Sequence, residues 1–474
     1  MKKVIPPTWG RGELEKLSKI ISQTFADFDI PVKIVDAIEG LRNYHFHVQP
    51  EKPSRMKAMS GFKDDLRYAL SSNLVEIEAP MPDKKLVGIT IPKKDTFPII
   101  PWSEAVKKKE FIDSGSLTVP LGIDEFGEEK YLDIARTPHM LMGGCTGSGK
   151  SNLLHSLISS LIKKNSPDEI LLILCDPKRV ELTLYAGIPH LLTPVIVDAK
   201  KACRAFFWAV KEMERRYDIL EAEKTQNITA YHKLVHQPAK KKWEARGSKS
   251  EEVKFLPEAM PFIVIVVDEL SDLMYSYPKE FEANIVQLAQ MARAVGIHLI
   301  ISTSRPSVSV VTGTIKANLP TRIALMTASQ IDSRTILDVA GAEKLQGQGD
   351  MLYQSADAIR PCRIQGYYIS EVEIRDQVKK LHLSEEKTAA LISIDAILNS
   401  DEERFFTTSE EKDDDLYEEA RKAVIEAGKA STSYLQRKLR IGYSRAARLL
   451  DLLEEAGVIG PQNGATPREV LIDK

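Results

Sequence analysis

Two short stretches of this chain carry chemistry by residue type and spacing. Gly144-Cys145-Thr146-Gly147-Ser148-Gly149-Lys150-Ser151 fits the phosphate-loop pattern GxxxxGK[ST], in which glycines let backbone N–H groups close around the β- and γ-phosphates of a nucleotide. Lys150 would reach the terminal phosphates, the Ser151 hydroxyl would ligate Mg²⁺, and Asn152 carries the cradle into the next helix. The second stretch is Asp268-Glu269, adjacent acids directly after the apolar run Phe262 to Val267. A carboxylate at the end of a buried strand is costly unless something there uses it. In phosphate-loop proteins this is the place of the acid that holds Mg²⁺ through water, and Glu269 is positioned to polarise the attacking water. The pattern predicts hydrolysis of ATP with Mg²⁺ as cofactor.

These residues need strands and helices to hold them. His139-Met140-Leu141-Met142 reads as a short strand, and Asn152 to Ile162 repeats leucine and isoleucine at helical spacing. Strand, glycine loop and helix is the context the motif requires. Further along, Glu169 to Cys175 reads as a buried strand ending at Asp176-Pro177-Lys178, and Lys200 to Ala222 as a long helix. A helix from Phe281 to Val295 and strands His298 to Thr303 and Arg322 to Thr327 complete the alternation. Uninterrupted apolar strands alternating with helices predict a parallel sheet covered on both faces. Phe206-Phe207-Trp208 then belongs to the core. Between Lys224 and Pro261 periodicity fades, and Lys240, Lys241, Lys242, Arg246, Lys249 and Lys254 around Trp243 read as a solvated insertion loop, with a DNA-contacting loop as the alternative. Arg293, near the end of its helix, has the position of an arginine offered to a neighbouring subunit's nucleotide in ring ATPases. Arg305, Arg322 and Arg334 compete with it, and spacing does not choose among them.

With 474 residues the chain is too long for one core. Its 65 basic and 67 acidic residues balance, so whole-chain charge names no partner and any nucleic-acid surface is local. No run approaches the roughly 18 apolar residues of a membrane span. Cys145, Cys175, Cys203 and Cys362 lie far apart, as reduced thiols of a cytosolic protein do. Residues 1–78 read as a small α/β domain, with helices over Leu14 to Phe28 and Gly61 to Leu70 and strands over Pro31 to Ile38 and Tyr44 to Val48. His45 and His47 are ordinary strand residues. Residues 79–110, punctuated by prolines, form an extended connector; 111–383 form the nucleotide domain; 384–415 form a linker ending in a charge run. In 416–474, helices over Leu416 to Ala427, Ser433 to Leu439 and Ser444 to Glu455 precede a hairpin of Val458-Ile459 and Glu469 to Ile472. That is a winged helix, whose third helix enters the major groove. Every charge from Lys429 to Arg448 is positive (Lys429, Arg437, Lys438, Arg440, Arg445, Arg448), which favours DNA as the ligand.

The ordered set Pro138-His139, Gly144 to Ser151, Asp176-Pro177-Lys178, Gly187 to Leu192, Glu212-Met213-Glu214-Arg215-Arg216-Tyr217, Val267-Asp268-Glu269-Leu270, Met291 to Leu299, Ile315 to Ala324, Asp332 to Asp338, Gly349 to Leu352 and Arg440 to Leu449 closely resembles the FtsK/SpoIIIE DNA translocases, over nearly the whole chain. The resemblance implies a RecA-like phosphate-loop core between a small N-terminal α domain and a C-terminal γ winged helix. It implies a homohexameric ring that threads double-stranded DNA during chromosome segregation at division or sporulation, with division or recombination proteins as further partners. The family's base contacts fall at Ser444, Arg448 and Asp451, and its trans arginine finger at Arg293. Two departures stand out. The family's N-terminal membrane anchor and long linker have no counterpart, so the chain reads as a motor fragment or a soluble paralogue, cytoplasmic and without membrane contact of its own. Ser304 stands where the family has glutamine before Arg-Pro-Ser, which predicts slower or less DNA-dependent turnover. Rival readings are a conjugation- or phage-type DNA pump and a non-translocating, ATP-switched DNA-binding regulator; Glu269 argues against the latter, which needs no water-activating base.

Overall fold

A computed structural model describes residues 11–72, 74–81, 85–93, 99–246, 257–358, 360–382, 417–428, 430–439, 449–450, 453–454, 458–460, 468 and 470–471. The chain divides into two units, Met1–Asn399 and Ser400–Lys474.

The first unit holds two sheets. The N-terminal one contains β1 (Val32–Glu39), β2 (Asn43–Pro50), β3 (Glu76–Glu78) and β4 (Val87–Pro92) in the antiparallel order β1-β2-β4-β3. Helices Arg11–Asp27 and Lys63–Leu70 bury Ile21, Phe25 and Leu66 in one core with Phe46, Val48 and Ile89. His45 meets the Thr90 hydroxyl at 3.2 Å and His47 lies 3.5 Å from Asp36. The stretch expected to be an extended connector supplies β4, whose Val87, Ile89 and Ile91 alternate inward. Its proline, Pro92, is the last residue of the strand, where a missing N–H is tolerated.

The second sheet has nine strands. β5 (Thr118–Asp124), β6 (Glu129–Asp133), β7 (His139–Gly143), β8 (Ile170–Cys175), β9 (Phe262–Val267), β10 (Ile297–Thr303), β11 (Thr321–Leu325), β12 (Asp350–Gln354) and β13 (Cys362–Gly366) lie in the order β6-β5-β13-β12-β11-β7-β10-β9-β8. The five strands from β11 to β8 are parallel, as their apolar sequences predict. The other four pair antiparallel, which corrects the expectation of an all-parallel sheet. β5–β6 and β12–β13 are joined by loops too short for a parallel crossover, which needs a dozen or more residues. Helix Lys150–Lys164 packs Leu154, Leu157 and Ile158 against Met140, Met142, Leu172 and Ile300. Helices Ala199–Ala222 and Pro278–Met291 join through Phe206, fully buried and edge-on to Phe281 at 5.4 Å.

The region expected to be a solvated loop is helical as far as Arg246, through Ile228–Tyr231, His232–His236 and Gln237–Arg246. It is pinned to the irregular segment leading into β9. The Tyr231 hydroxyl donates to the Glu258 carbonyl, while His232 Nε2 meets the Ala259 and Met260 carbonyls and His236 Nδ1 that of Pro257, all at 2.9 Å. Lys249 and Lys254 lie outside the described residues.

In the second unit, helices Tyr417–Ala427 and Thr432–Leu439 share a core of Ala423, Val424, Leu435, Leu450, Leu453 and Ile459. Ile459 pairs antiparallel with Val470, as the expected hairpin requires, and Ala430 pairs with Arg468. Among the described residues no helix is long and apolar enough to cross a membrane.

Candidate nucleotide site

β7 ends at Gly143, the loop 144–149 turns over its end, and helix Lys150–Lys164 begins at once. Gly147 and Gly149 take left-handed backbone, with φ +82° and +103°. A Cβ on Gly149 would stand 2.4 Å from the Gly349 nitrogen, so only glycine fits there. The N–H groups of Lys150, Ser151 and Asn152 open the helix and have no intrahelical acceptor, and they form the positive end of its dipole. They face a cavity of about 560 Å³ lined by Cys145, Thr146, Gly147, Gly149, Lys150, Ser151 and Asn152 among others. The Asn152 side chain is engaged elsewhere, donating to the Ile369 carbonyl at 2.8 Å. Gly144 and Ser148 stand behind the wall: Gly144 N–H donates to the Thr303 carbonyl, and the buried Ser148 hydroxyl has no protein partner.

Asp268 reaches the same cavity because β9 lies one strand away from β7, across β10, and Glu269 sits behind the wall against Lys150, Lys178 and Ser304. Asp268 is buried with Oδ1 unpartnered. Burial, only partly offset by Lys150, pushes its pKa up to about 6. Glu269 is fully buried and crowded with donors. Lys178 Nζ lies at 2.8 Å, the Ser271 and Thr303 hydroxyls at 2.9 and 2.8 Å, and the Ser304 N–H at 3.1 Å, with the Ser304 hydroxyl donating as well. Lys150 Nζ lies 3.8 Å away. Burial opposes the charge, but Lys178, Ser304, Lys150 and Thr303 together hold its pKa at about 2. Two neighbouring acids thus differ by environment: one is easily protonated, the other a fixed anion.

The orphaned Asp268 Oδ1 and the glycine cradle fit a magnesium nucleotide, and Ser151 and Asp268 are the residues that would hold the metal. Metal binding requires the ionised carboxylate. Magnesium-dependent nucleotide affinity is therefore expected to fall as pH drops through about 6, at most about tenfold per pH unit. Isothermal titration from pH 5 to 8 checks this, and Asp268→Asn should flatten the profile.

Arg293 does not join this cluster. It is exposed, follows helix Pro278–Met291, and precedes the start of β10. Its charge adds to burial in keeping His139 and His298 neutral at the starts of β7 and β10, the sheet edge opposite the phosphate loop. Arg305 and Arg334 are exposed, and Arg322 is ion-paired with Asp338. Of the expected DNA contacts, Lys438 is exposed on helix Thr432–Leu439, which also contains Arg437. Arg440, Ser444, Arg445, Arg448 and Asp451 lie outside the described residues. Glu181 also lines the cavity, and hydrogen bonds from His155 and then Ser151 lower its pKa against the opposing effect of burial. Neither Glu181 nor the Lys178–Glu269 contact is evident from spacing: both follow from β8 lying beside β9.

The FtsK/SpoIIIE family model matches residues 103–308, the FtsK alpha domain 8–93 and the FtsK gamma domain 411–473. The DNA translocase FtsK of Caldanaerobacter subterraneus subsp. tengcongensis is 42% identical over 480 aligned residues, covering 100% of this chain. The chain belongs to the FtsK/SpoIIIE family. The DNA translocase SftA of Bacillus subtilis is 39% identical over 97% of the chain. The chain spans 63% of the length of the first relative and 46% of the second. Among solved structures, the pCW3 conjugation coupling protein TcpA with ATPγS aligns with a TM-score of 0.53 and 24% identity, over 77% of this chain and 99% of that one. It shares the fold of the FtsK/SpoIIIE motor, a phosphate-loop ATPase core.

Proposed function

We propose that this chain is the motor of an ATP-driven double-stranded DNA translocase, working as a homohexamer in chromosome segregation. The observation that carries the reading is one cavity lined by Lys150, Ser151 and Asp268, with Glu269 buried behind its wall 3.8 Å from Lys150, in a chain whose whole length aligns with 63% of a protein named a DNA translocase. In this reading the loop amides and Lys150 bind the ATP phosphates, and Ser151 and Asp268 hold Mg²⁺, which neutralises phosphate charge when bound. Glu269 orients the attacking water and takes up its proton. With Lys178 and Ser304 on its oxygens the carboxylate is a poor base, so the nucleotide must draw some of these donors away before hydrolysis. Arg293, remote from its own site, serves the neighbour's. Phosphate contacts in the ring give salt-sensitive grip without sequence preference, and the winged helix supplies preference through the major groove. The test is steady-state ATP hydrolysis with and without long linear duplex, Lys150→Ala being the blank. Strong stimulation by duplex supports the reading; a flat, near-zero rate overturns it.

Two further outcomes are expected. Cys145 lines the nucleotide cavity, whereas Cys175 and Cys203 are buried. With ADP at ten times its Kd, alkylation of Cys145 by iodoacetamide should slow about tenfold, as peptide mass spectrometry would read. Ser304 lies on the cavity wall, but its hydroxyl is committed to Glu269. Ser304→Gln is therefore expected to raise the ratio of DNA-stimulated to basal hydrolysis severalfold, and an unchanged ratio counts against that role.

A further inference from the structure

The N-terminal domain sends one side chain to the wall of the nucleotide cavity. Arg42 follows the turn between β1 and β2, is 7% exposed, and lines the cavity with Lys150 and Gly149. Its guanidinium donates to the carbonyls of Gly347 and Gln348, both at 3.3 Å. The two domains meet tightly beside it: a Cβ on Gly40 would lie 2.7 Å from the Glu125 carbonyl oxygen.

The turn that Arg42 grips is an unusual one. Gly347, Gln348 and Gly349 all have left-handed backbone, with φ +76°, +50° and +85°. Such a conformation persists at a non-glycine residue only when its surroundings over-determine it. Here the Gln348 carbonyl accepts from Gln365 Nε2 at 2.9 Å as well as from Arg42. Asp350 caps the turn by accepting from the Gln346 N–H at 2.9 Å, and Arg363 fixes Asp350 with two hydrogen bonds of 3.0 and 2.8 Å. The turn is also in direct contact with the phosphate loop, since the Gly349 N–H donates to the Ser148 carbonyl at 2.9 Å. The phosphate loop is therefore tied to Gly349, and Arg42 grips the carbonyls of the two residues that precede it in the turn.

We infer that Arg42 is a positioning residue for the phosphate loop, through which docking of the N-terminal domain and binding of nucleotide reinforce each other. Both sites bias one turn, so the coupling is reciprocal. A nucleotide that tightens residues 147–149 fixes the carbonyls Arg42 grips, and a domain that withdraws Arg42 loosens the cradle. The inference rests on nucleotide binding at Lys150.

The test uses the full chain, with mant-ADP titration and hydrogen exchange of residues 40–50 and 87–93 with and without ADP. In the wild type, ADP should slow exchange in these N-terminal segments. Arg42→Ala should weaken mant-ADP binding about tenfold and abolish that slowing. Arg42→Lys, which keeps the charge and the fold but loses the two-pronged donor, should lose most of it. A merely structural arginine would change exchange equally with and without ADP. Wild-type binding with no ADP-dependent protection of the N-terminal segments, or with protection and affinity unchanged in both variants, overturns this inference alone. No binding by the wild type, with Lys150→Ala indistinguishable from it, overturns the nucleotide reading together with it.

Discussion

Glu269→Gln should bind ATP within a few-fold of wild type and yet hydrolyse it at least about 10²-fold more slowly, in the range that general-base groups contribute. The substitution keeps the volume of a fully buried side chain, so the cavity survives. What changes is the pattern of donors and acceptors. Lys178, Ser271, Thr303 and Ser304 all donate to the two carboxylate oxygens. An amide presents one oxygen and one NH₂, so one set of these donors would face another donor. Loss of the negative charge also removes the attraction that holds Lys178 and Lys150 at this end of the cavity. Asp268 responds in the opposite sense, because Glu269 is among the charges that raise its pKa. A neutral neighbour makes Asp268 easier to ionise, which preserves metal binding and with it nucleotide affinity. Steady-state hydrolysis with duplex DNA, beside mant-ATP titration, separates the two effects. A rate within tenfold of wild type would remove Glu269 from the chemistry. Joint loss of binding and rate would make it structural.

The phosphate loop and the acid pair were legible because each is local: a contiguous motif flanked by the strand and helix it needs. Five parallel strands were legible too, since strands buried on both faces are apolar throughout. Strand order was not, because it is set by contacts between residues far apart in sequence. Lys178 reaches Glu269 over 91 positions of sequence only because β8 pairs with β9. Arg42 reaches Gly347 over 305. β4 has an alternating pattern that spacing could have revealed, but the prolines around it suggested an extended connector. β5 is similar: Pro120 sits in the strand where the register shifts against β6, as proline in a strand tends to do. The helix Gln237–Arg246 has almost no apolar periodicity, and the segment is held by side chains on the carbonyls of 257–260, which no spacing rule reports. The one-signed charge from Lys429 to Arg448 is a sequence argument, since Lys429, Arg440, Arg445 and Arg448 lie outside the described residues.

Arg216→Ala is expected to have the largest effect on stability. Its motif, Glu212 to Tyr217, is rich in charged residues, yet the Arg216 side chain is 2% exposed. Nε donates to Glu212 at 2.8 Å, Nη1 to the Val295 carbonyl at 2.9 Å and Nη2 to the Pro261 carbonyl at 2.9 Å. Those carbonyls belong to the segments entering β10 and β9, so one guanidinium ties the long helix Ala199–Ala222 to the starts of two neighbouring parallel strands. Tyr217 adds a hydroxyl bond to the Met291 carbonyl at 2.7 Å. Truncation would leave two carbonyls without this donor and a void of side-chain size. Glu212 would keep Arg215, at 2.7 and 2.9 Å, which limits the penalty of a stranded carboxylate. Breaking one partner of a buried pair costs about 3–5 kcal/mol; with Arg215 remaining, the lower end applies. For a domain this large that amounts to a fall in Tm on the order of 10 °C, measurable by scanning calorimetry. Arg216→Lys should recover part of it by restoring one donor and the charge. A shift under about 2 °C for Arg216→Ala, below the ~2–4 °C that a single kcal/mol moves, would mean that water replaces the guanidinium without cost. The brace would then be incidental to the fold. The expected loss makes the arginine the link that sets the helix against β9, the strand that delivers Asp268 to the nucleotide cavity and Glu269 to its wall.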